Sequence, residues 1–427
     1  MEEKDLGVEM YNWVKFLFPI PRSLTGSGVR ETLRFLQSIV PSLKINGVKS
    51  GTKVFDWNVP DEWNLAEAYI LDAQGKCLIH TDVNNLHVVG YSTPVDLLIE
   101  KDELEKHLHS LPNLPDAIPY VTSYYEKRWG FCLSQNQRNF MGDGPFRVVI
   151  RAELGLGEMN FGELIIPGST PAEVLLSTYV CHPSMANNEL SGPAVAIALA
   201  RWLISLPNRR FTYRILFLPE TIGAISYLST NLAEMKKNTI AGWVLTCMGD
   251  SAAISFLPSR NGNTLTDRIS RAVLRESRSD WTEYSYLDRG SDERQYCSPG
   301  VDLPVASIMR SKYGTYPEYH TSLDDLNFVS AEGLLKSFQL MKRAIQVLEE
   351  NHNWKANQLC EPQLGGRGLY PTISTHDSQA KTRDFMNVLA YCDGDHDLMQ
   401  LSEKCGIPID RCLEILEVLH ANNLIRE

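Results

Sequence analysis

The sequence predicts an α/β core that is interrupted by a β-rich module and followed by a small helical module of winged-helix type. Three observations carry this. Strand-like and helix-like patterns alternate between about residues 160 and 352, short apolar runs broken by turn residues fill 49–158, and three short amphipathic segments occupy the last fifty residues.

Residues 5–18 and 28–40 carry apolar side chains at helical spacing on either side of PIPRSLTGSG, and read as helix, turn, helix. KVFDW, EAYILD, KCLIH, HVVGYS and FRVVIRAEL give the next stretch its strand texture. In the core, GELIIP, EVLLSTYV, TYRILFLP and GWVLTCM read as strands, while GPAVAIALARWLISL and GAISYLSTNLAEMKK read as helices between them. LTDRISRAVLRES, LPVASIMR and AEGLLKSFQLMKRAIQVLEENH continue the pattern. Residues 359–376 have the composition of a linker. TRDFMNVLAYC, LMQLSEKC and PIDRCLEILEVLHANNLI, joined by DGDHD and GIP, then have the cadence of a helix-turn-helix or winged helix. The expected division is 1–48 with 159–358 as core, 49–158 as insertion, 359–376 as linker and 377–427 as winged helix.

A chain of 427 residues holds two or three domains, and 43% hydrophobic with 22% charged residues is a globular balance. The net charge of −11 opposes nucleic acid and anionic membranes as partners. Nine scattered cysteines without a CxxC point to neither a disulfide framework nor a cysteine-rich zinc site. The acidic start, with no long apolar stretch after it, leads to the expectation of a soluble cytoplasmic protein. Residues 377–427 hold ten acidic against five basic residues, so the C-terminal module is expected to contact protein, including a second copy of the chain, and not DNA.

The chemistry concentrates where strands end, as ligand sites of open α/β sheets do. One strand pattern ends at His182, a second at Glu220 and a third beside Asp250, while the loop YHTSLDD supplies His320. Catalytic zinc takes about three protein ligands and keeps a position for water. His182, a carboxylate a few residues later and His320 meet that need, and Glu220 is the candidate to take the proton from the water.

HPSMANNELSG, FLPETIG and YHTSLDD resemble, in order, the metal-binding blocks of the bacterial leucyl aminopeptidase group of zinc exopeptidases. Together with WNVPDEWN, NNLHVVGYS, KRWGFC and GSDERQY they resemble, over nearly the whole chain, a bacterial aminopeptidase-like family often labelled polysaccharide biosynthesis protein. The resemblance implies a three-layer zinc aminopeptidase-like core with a mixed sheet, an inserted β domain and a C-terminal winged helix. It implies His182 and His320 as metal ligands, Glu220 as base, and Asp324 of the HTxxD pattern as a carboxylate fixing an imidazole tautomer.

The chain departs from the two-zinc pattern at three carboxylates, where it has Asn188, Thr221 and Thr246. A second dication would lack compensating charge, so one zinc ion per chain is expected. The third ligand is Glu189, one residue along and one methylene longer than an aspartate, or Asn188 through its amide oxygen. Asp292, for a substrate amine, and Arg294, for a carboxylate, are substrate-binding candidates, as are Tyr319, Arg128 and Trp129. Cys181 and His87 read as packing residues. The expected function is hydrolysis of an amide in a small molecule or short peptide, by an exopeptidase or a deacylase. A binding protein that has lost hydrolysis and a metabolite-sensing regulator are the alternatives.

Overall fold

A computed structural model of the chain describes residues 3–369 and 376–427. Residues 370–375, inside the expected linker, lie outside the described residues. Two compact units result, Met1–Asp267 with Ser279–Met341, and Arg268–Arg278 with Lys342–Glu427.

The first unit begins with α1 (Glu3–Leu17), α2 (Ser27–Ile39) and β1 (Lys44–Lys49). The inner face of α2 buries Val29, Leu33 and Leu36, one helical stripe. The insertion contributes β2 (Glu62–Leu71), β3 (Cys77–His80), β4 (Val95–Ile99) and β5 (Phe146–Gly155), an antiparallel sheet in the order β3-β2-β5-β4. HVVGYS forms no strand: a short 3-10 turn at Asn85–His87 leads to isolated bridges of Val88 with Phe131 and of Gly90 with Thr122.

The core follows as β6 (Glu158–Ile166), β7 (Glu173–Tyr179), α3 (Ser191–Ser205), β8 (Thr212–Leu218), α4 (Ile222–Asn238), β9 (Thr239–Val244), β10 (Ser255–Leu257), α5 (Leu265–Glu276), β11 (Thr282–Glu283), β12 (Val305–Met309) and α6 (Ala331–Glu349). Its mixed eight-stranded sheet runs β1-β6-β8-β7-β9-β12-β10-β11. The middle strands β8, β7, β9 and β12 are parallel, the pairs β1–β6, β6–β8 and β10–β12 are antiparallel, and β11 lies parallel to β10. All seven residues of β7 are buried, as a strand covered on both faces requires. The parallel strands therefore deliver His182, Glu220 and Thr246 to one end of the sheet.

In the second unit β13 (Asn353–Ala356) lies between β14 (Asp393–Asp397) and β15 (Ile425–Arg426), with α7 (His376–Ala390), α8 (Leu398–Cys405) and α9 (Ile409–Ala421). The sequence pattern placed DGDHD as a joint. Instead it is β14, whose last residue, Asp397, caps α8 and pairs with Arg268 at 2.8 Å. No helix among the described residues is long and apolar enough to cross a membrane.

Arg214 on β8 is buried and ties the sheet to α4: its guanidinium meets both carboxylate oxygens of Glu173 at 2.8 and 2.9 Å and Glu234 at 2.7 Å. Removing one partner from a buried ion network leaves an uncompensated charge. Arg214→Ala is expected to cost about 3–5 kcal/mol of unfolding free energy, read as a lower urea midpoint at unchanged slope.

Candidate functional site

Beyond β7 the chain reaches His182 and then closes a π-helical turn, Ala186–Leu190, that opens directly into α3. Extra-wide turns of this kind recur at functional sites because they re-aim adjacent side chains. Asp324 holds the turn in place. Its two carboxylate oxygens accept the backbone N–H groups of Asn187 at 2.6 Å and Asn188 at 2.8 Å. The hydrogen bonds of Asp324 go to this turn, and none joins it to an imidazole among the described residues. Gly192, just after it, is needed for space: a Cβ there would stand 2.2 Å from the Leu245 carbonyl oxygen.

The imidazole of His182 is buried between two carboxylates. Nδ1 lies 2.7 Å from Glu189 Oε2, and Nε2 lies 3.5 Å from Glu220 Oε2. Burial opposes a positive charge on this ring, but the thiol and carboxylate beside it outweigh that and raise its pKa well above the usual histidine range. The other oxygen of Glu189 has no hydrogen-bond partner and sits 4.0 Å from Nε of the buried Arg22. That arginine donates to the carbonyls of His182 and Leu17, fixing the strand end. Burial raises the pKa of Glu220 as well, against the pull of His182 and Arg294. Burial also pushes the Cys181 thiol up to about 11, in keeping with a packing role.

Of the three positions that lack carboxylates, Asn188 and Thr246 are joined by neutral hydrogen bonds and Thr221 is held by charged partners. Tyr179 OH meets Thr246 Oγ1 at 2.5 Å and accepts from Asn188 Nδ2 at 3.0 Å, and Thr246 donates back to the Asn188 carbonyl at 3.0 Å. Thr221 is the centre of a tight three-residue turn, with φ 65° and ψ −77°, closed by the Ile222 N–H on the Glu220 carbonyl at 2.8 Å. Such a backbone persists only when its surroundings over-determine it. Here Asp292 Oδ1 accepts the Thr221 N–H at 2.7 Å, and Arg294 donates to Thr221 Oγ1 at 2.6 Å. Asp292 is fully buried behind the turn, which corrects its expected contact with a substrate amine.

His320 also has a positive φ, 56°. Its ring stacks on Tyr319 at 3.9 Å and lies 5.3 Å, centroid to centroid, from that of His182. Burial and the neighbouring His182 push its pKa down to about 3, so it is neutral at physiological pH. Its backbone carbonyl accepts the N–H of Tyr120 from the insertion, and Ser322 N–H donates to the Ile118 carbonyl, both at 2.9 Å. Tyr120 thereby packs against both imidazoles, with ring centroids 5.0 and 5.2 Å away, and its hydroxyl meets that of Tyr124 at 2.7 Å.

Together these groups enclose a cavity of about 380 Å³. Its wall includes His182, Glu220, His320, Thr221 and Arg294 from the core, and Trp57, Tyr120, Tyr124 and Tyr125 from the insertion. Arg128 and Trp129, the expected insertion residues, are not on it. Arg128 donates to the Thr122 carbonyl and Trp129 stacks on His107 at 3.6 Å, so local partners hold both. The aromatic run PYVTSYY was the signal available for the true wall. Glu189 pairs with His182, Asn188 with Tyr179 and Tyr319 with the His320 ring, none of them on the wall, and His87 is buried against the Cys132 carbonyl.

Several of these groups could hold a cation. His182 Nε2 and His320 face a cavity that also holds a buried carboxylate, and Asn188 Oδ1 is buried without a hydrogen-bond partner. Among the described residues, Cys181, His182 and Glu189 form a group whose ligand-type atoms all lie within 4.8 Å of one another. That group surrounds Nδ1, the edge of the ring already engaged by Glu189. The arrangement of Glu189 on Nδ1 is the one that carboxylates adopt behind metal-bound histidines.

Fold and site define an aminopeptidase-like α/β protein with an appended winged helix. The chain belongs to the family described as a domain of unknown function (DUF4910), whose model matches residues 11–351, and a winged helix-turn-helix model matches residues 352–427. A Clostridium acetobutylicum protein, provisionally named a polysaccharide biosynthesis protein with an aminopeptidase-like domain, is 41% identical over 424 residues, 99% of this chain and 97% of its own. A crystal structure from the same organism, provisionally described as a peptidase, is 40% identical with a TM-score of 0.93, over 99% of this chain and 97% of its own. A zinc aminopeptidase of Bacillus subtilis shares the fold at 13% identity and a TM-score of 0.57, over 79% of this chain and 94% of its own.

Asp324→Ala would strand two buried N–H groups, each costing about 1–3 kcal/mol. A clear drop in unfolding free energy, with partial recovery in Asp324→Asn, is the expected calorimetric result. Unchanged stability in the alanine variant would refute the capping role.

Proposed function

We propose that this chain is a zinc-dependent hydrolase of amide bonds in small substrates, with one metal ion per chain. The observation that carries this is the division of labour around His182: Nδ1 is fixed by Glu189 while Nε2 faces Glu220 in the cavity. His182, His320 and the unpartnered oxygen of Asn188 would hold the ion, and Glu189 would set the tautomer of His182. Zinc bound there would polarise the substrate carbonyl and acidify a water.

Glu220 takes a proton from the attacking water and delivers it to the leaving nitrogen, so that the C–N bond breaks to give a carboxylate and an amine. Burial, by raising its pKa, makes Glu220 a stronger proton acceptor than an exposed carboxylate. The strained turn at Thr221 fixes where that carboxylate points. The neutral network of Tyr179, Asn188 and Thr246 supports a count of one, because it offers no charge to a second dication.

Purified full-length protein should carry one zinc per chain by elemental analysis, and two would sink the single-ion reading. Against an accepted amide, Glu220→Gln should keep its zinc and lose turnover by about 10²–10⁴-fold. His320→Ala should lose zinc and turnover together. A wild-type chain that holds zinc yet hydrolyses nothing in a broad amide panel would instead favour a binding protein.

A further inference from the structure

The cavity holds one permanently cationic residue, Arg294, and one acidic residue, Glu220. The guanidinium of Arg294 has no carboxylate within ion-pairing distance among the described residues. Its Nη2 donates to the neutral Thr221 hydroxyl at 2.6 Å, and its Nε is buried with no partner. Each neighbouring acid has one oxygen engaged elsewhere, while Asp292 Oδ2 and Glu293 Oε2 are buried without a hydrogen-bond partner. Asp292 accepts the Thr221 N–H, and Glu293 Oε1 accepts the N–H groups of Gly290 and Ser291 together with the Tyr313 hydroxyl. A half-buried guanidinium whose hydrogen bond goes to a neutral hydroxyl keeps donor capacity for an anion in the cavity.

Glu220 is the acidic residue among the described residues of the wall. A substrate with a free ammonium group beside its scissile bond would find only Glu220 to pair with, and that pairing would neutralise the group that must accept a proton. The planar fork of an arginine matches a carboxylate geometrically, and a single guanidinium next to Glu220 suits a monoanion better than a dianion.

We propose that Arg294 binds a carboxylate of the substrate, so that the site takes N-acylated amino acids or similar carboxylate-bearing amides in place of peptides with a free amino end. This rests on the amide-hydrolase reading for the identity of the scissile bond, but the anion preference itself does not require turnover. The aromatic side chains of Trp57, Tyr124 and Tyr125 on the wall supply apolar surface for the rest of such a molecule.

The test is calorimetric binding to zinc-loaded full-length protein carrying Glu220→Gln, so that no probe is consumed. The probes are the N-acetyl derivatives of glycine, leucine, phenylalanine and glutamate, each paired with its α-carboxamide twin, and leucinamide as the free amine. At least one acid should bind about ten- to a hundredfold more tightly than its carboxamide, the range of one charge-assisted contact. Adding Arg294→Gln should erase that preference, with retained zinc content and measurable carboxamide binding showing that the cavity persists, and Arg294→Lys should restore part of it. The proposal is overturned if no acid outperforms its carboxamide, if the preference survives Arg294→Gln, or if leucinamide binds best. Absence of hydrolysis in the wild-type chain would count against the amide-hydrolase reading alone.

Discussion

Glu189 and Glu220 place two carboxylates against one imidazole inside the protein, and most of the surrounding structure manages that crowding. Negative charge taken out of water needs compensation nearby. Arg22 supplies part of it from behind, with its guanidinium spent on the His182 and Leu17 carbonyls as well. What remains draws positive charge to His182, either a proton or a cation on its cavity-facing nitrogen. The same requirement explains why the turn that delivers Glu189 is fastened so firmly by Asp324, because a small shift of that carboxylate would leave the imidazole unpaired.

A different solution operates a few ångströms away. Where the fold elsewhere places further carboxylates, hydroxyl and amide groups satisfy one another around Tyr179. Neutral bonds cost little to bury when each donor has its acceptor. The site therefore divides into charged groups that face the cavity, Arg294 among them, and a neutral cluster that is not on its wall. Arg294 and Asp292 have a further task. They brace the strained backbone at Thr221, and the arginine keeps hydrogen-bonding capacity in reserve.

Much of this was legible in the sequence, for physical reasons. Parallel strands buried on both faces produce unbroken apolar runs, so β7, β8 and β9 were visible and their ends pointed to His182 and Glu220. The orientation of neighbouring side chains was not. Asn188 and Glu189 are adjacent, and only the extra width of the Ala186–Leu190 turn decides which one meets Nδ1 of His182. Arg128 and Trp129 looked like wall residues because of their chemistry, whereas the aromatic residues that line the cavity are placed by bridges to residues far along the chain. DGDHD carries no apolar signal and becomes a strand through pairing with Asn353–Ala356.

The backbone clasp between Ile118–Tyr120 and His320–Ser322 also bears on synthesis. Ile118 and Ser322 are 204 positions apart, so their pairing is among the costly long-range closures of the fold. At about 5–20 residues per second, a ribosome needs roughly 10–40 s to make the second half of the clasp after the first. During that interval the tyrosines wait without the imidazole they will cover. The cavity beside His182 and His320 thus cannot close until translation of its unit is almost finished.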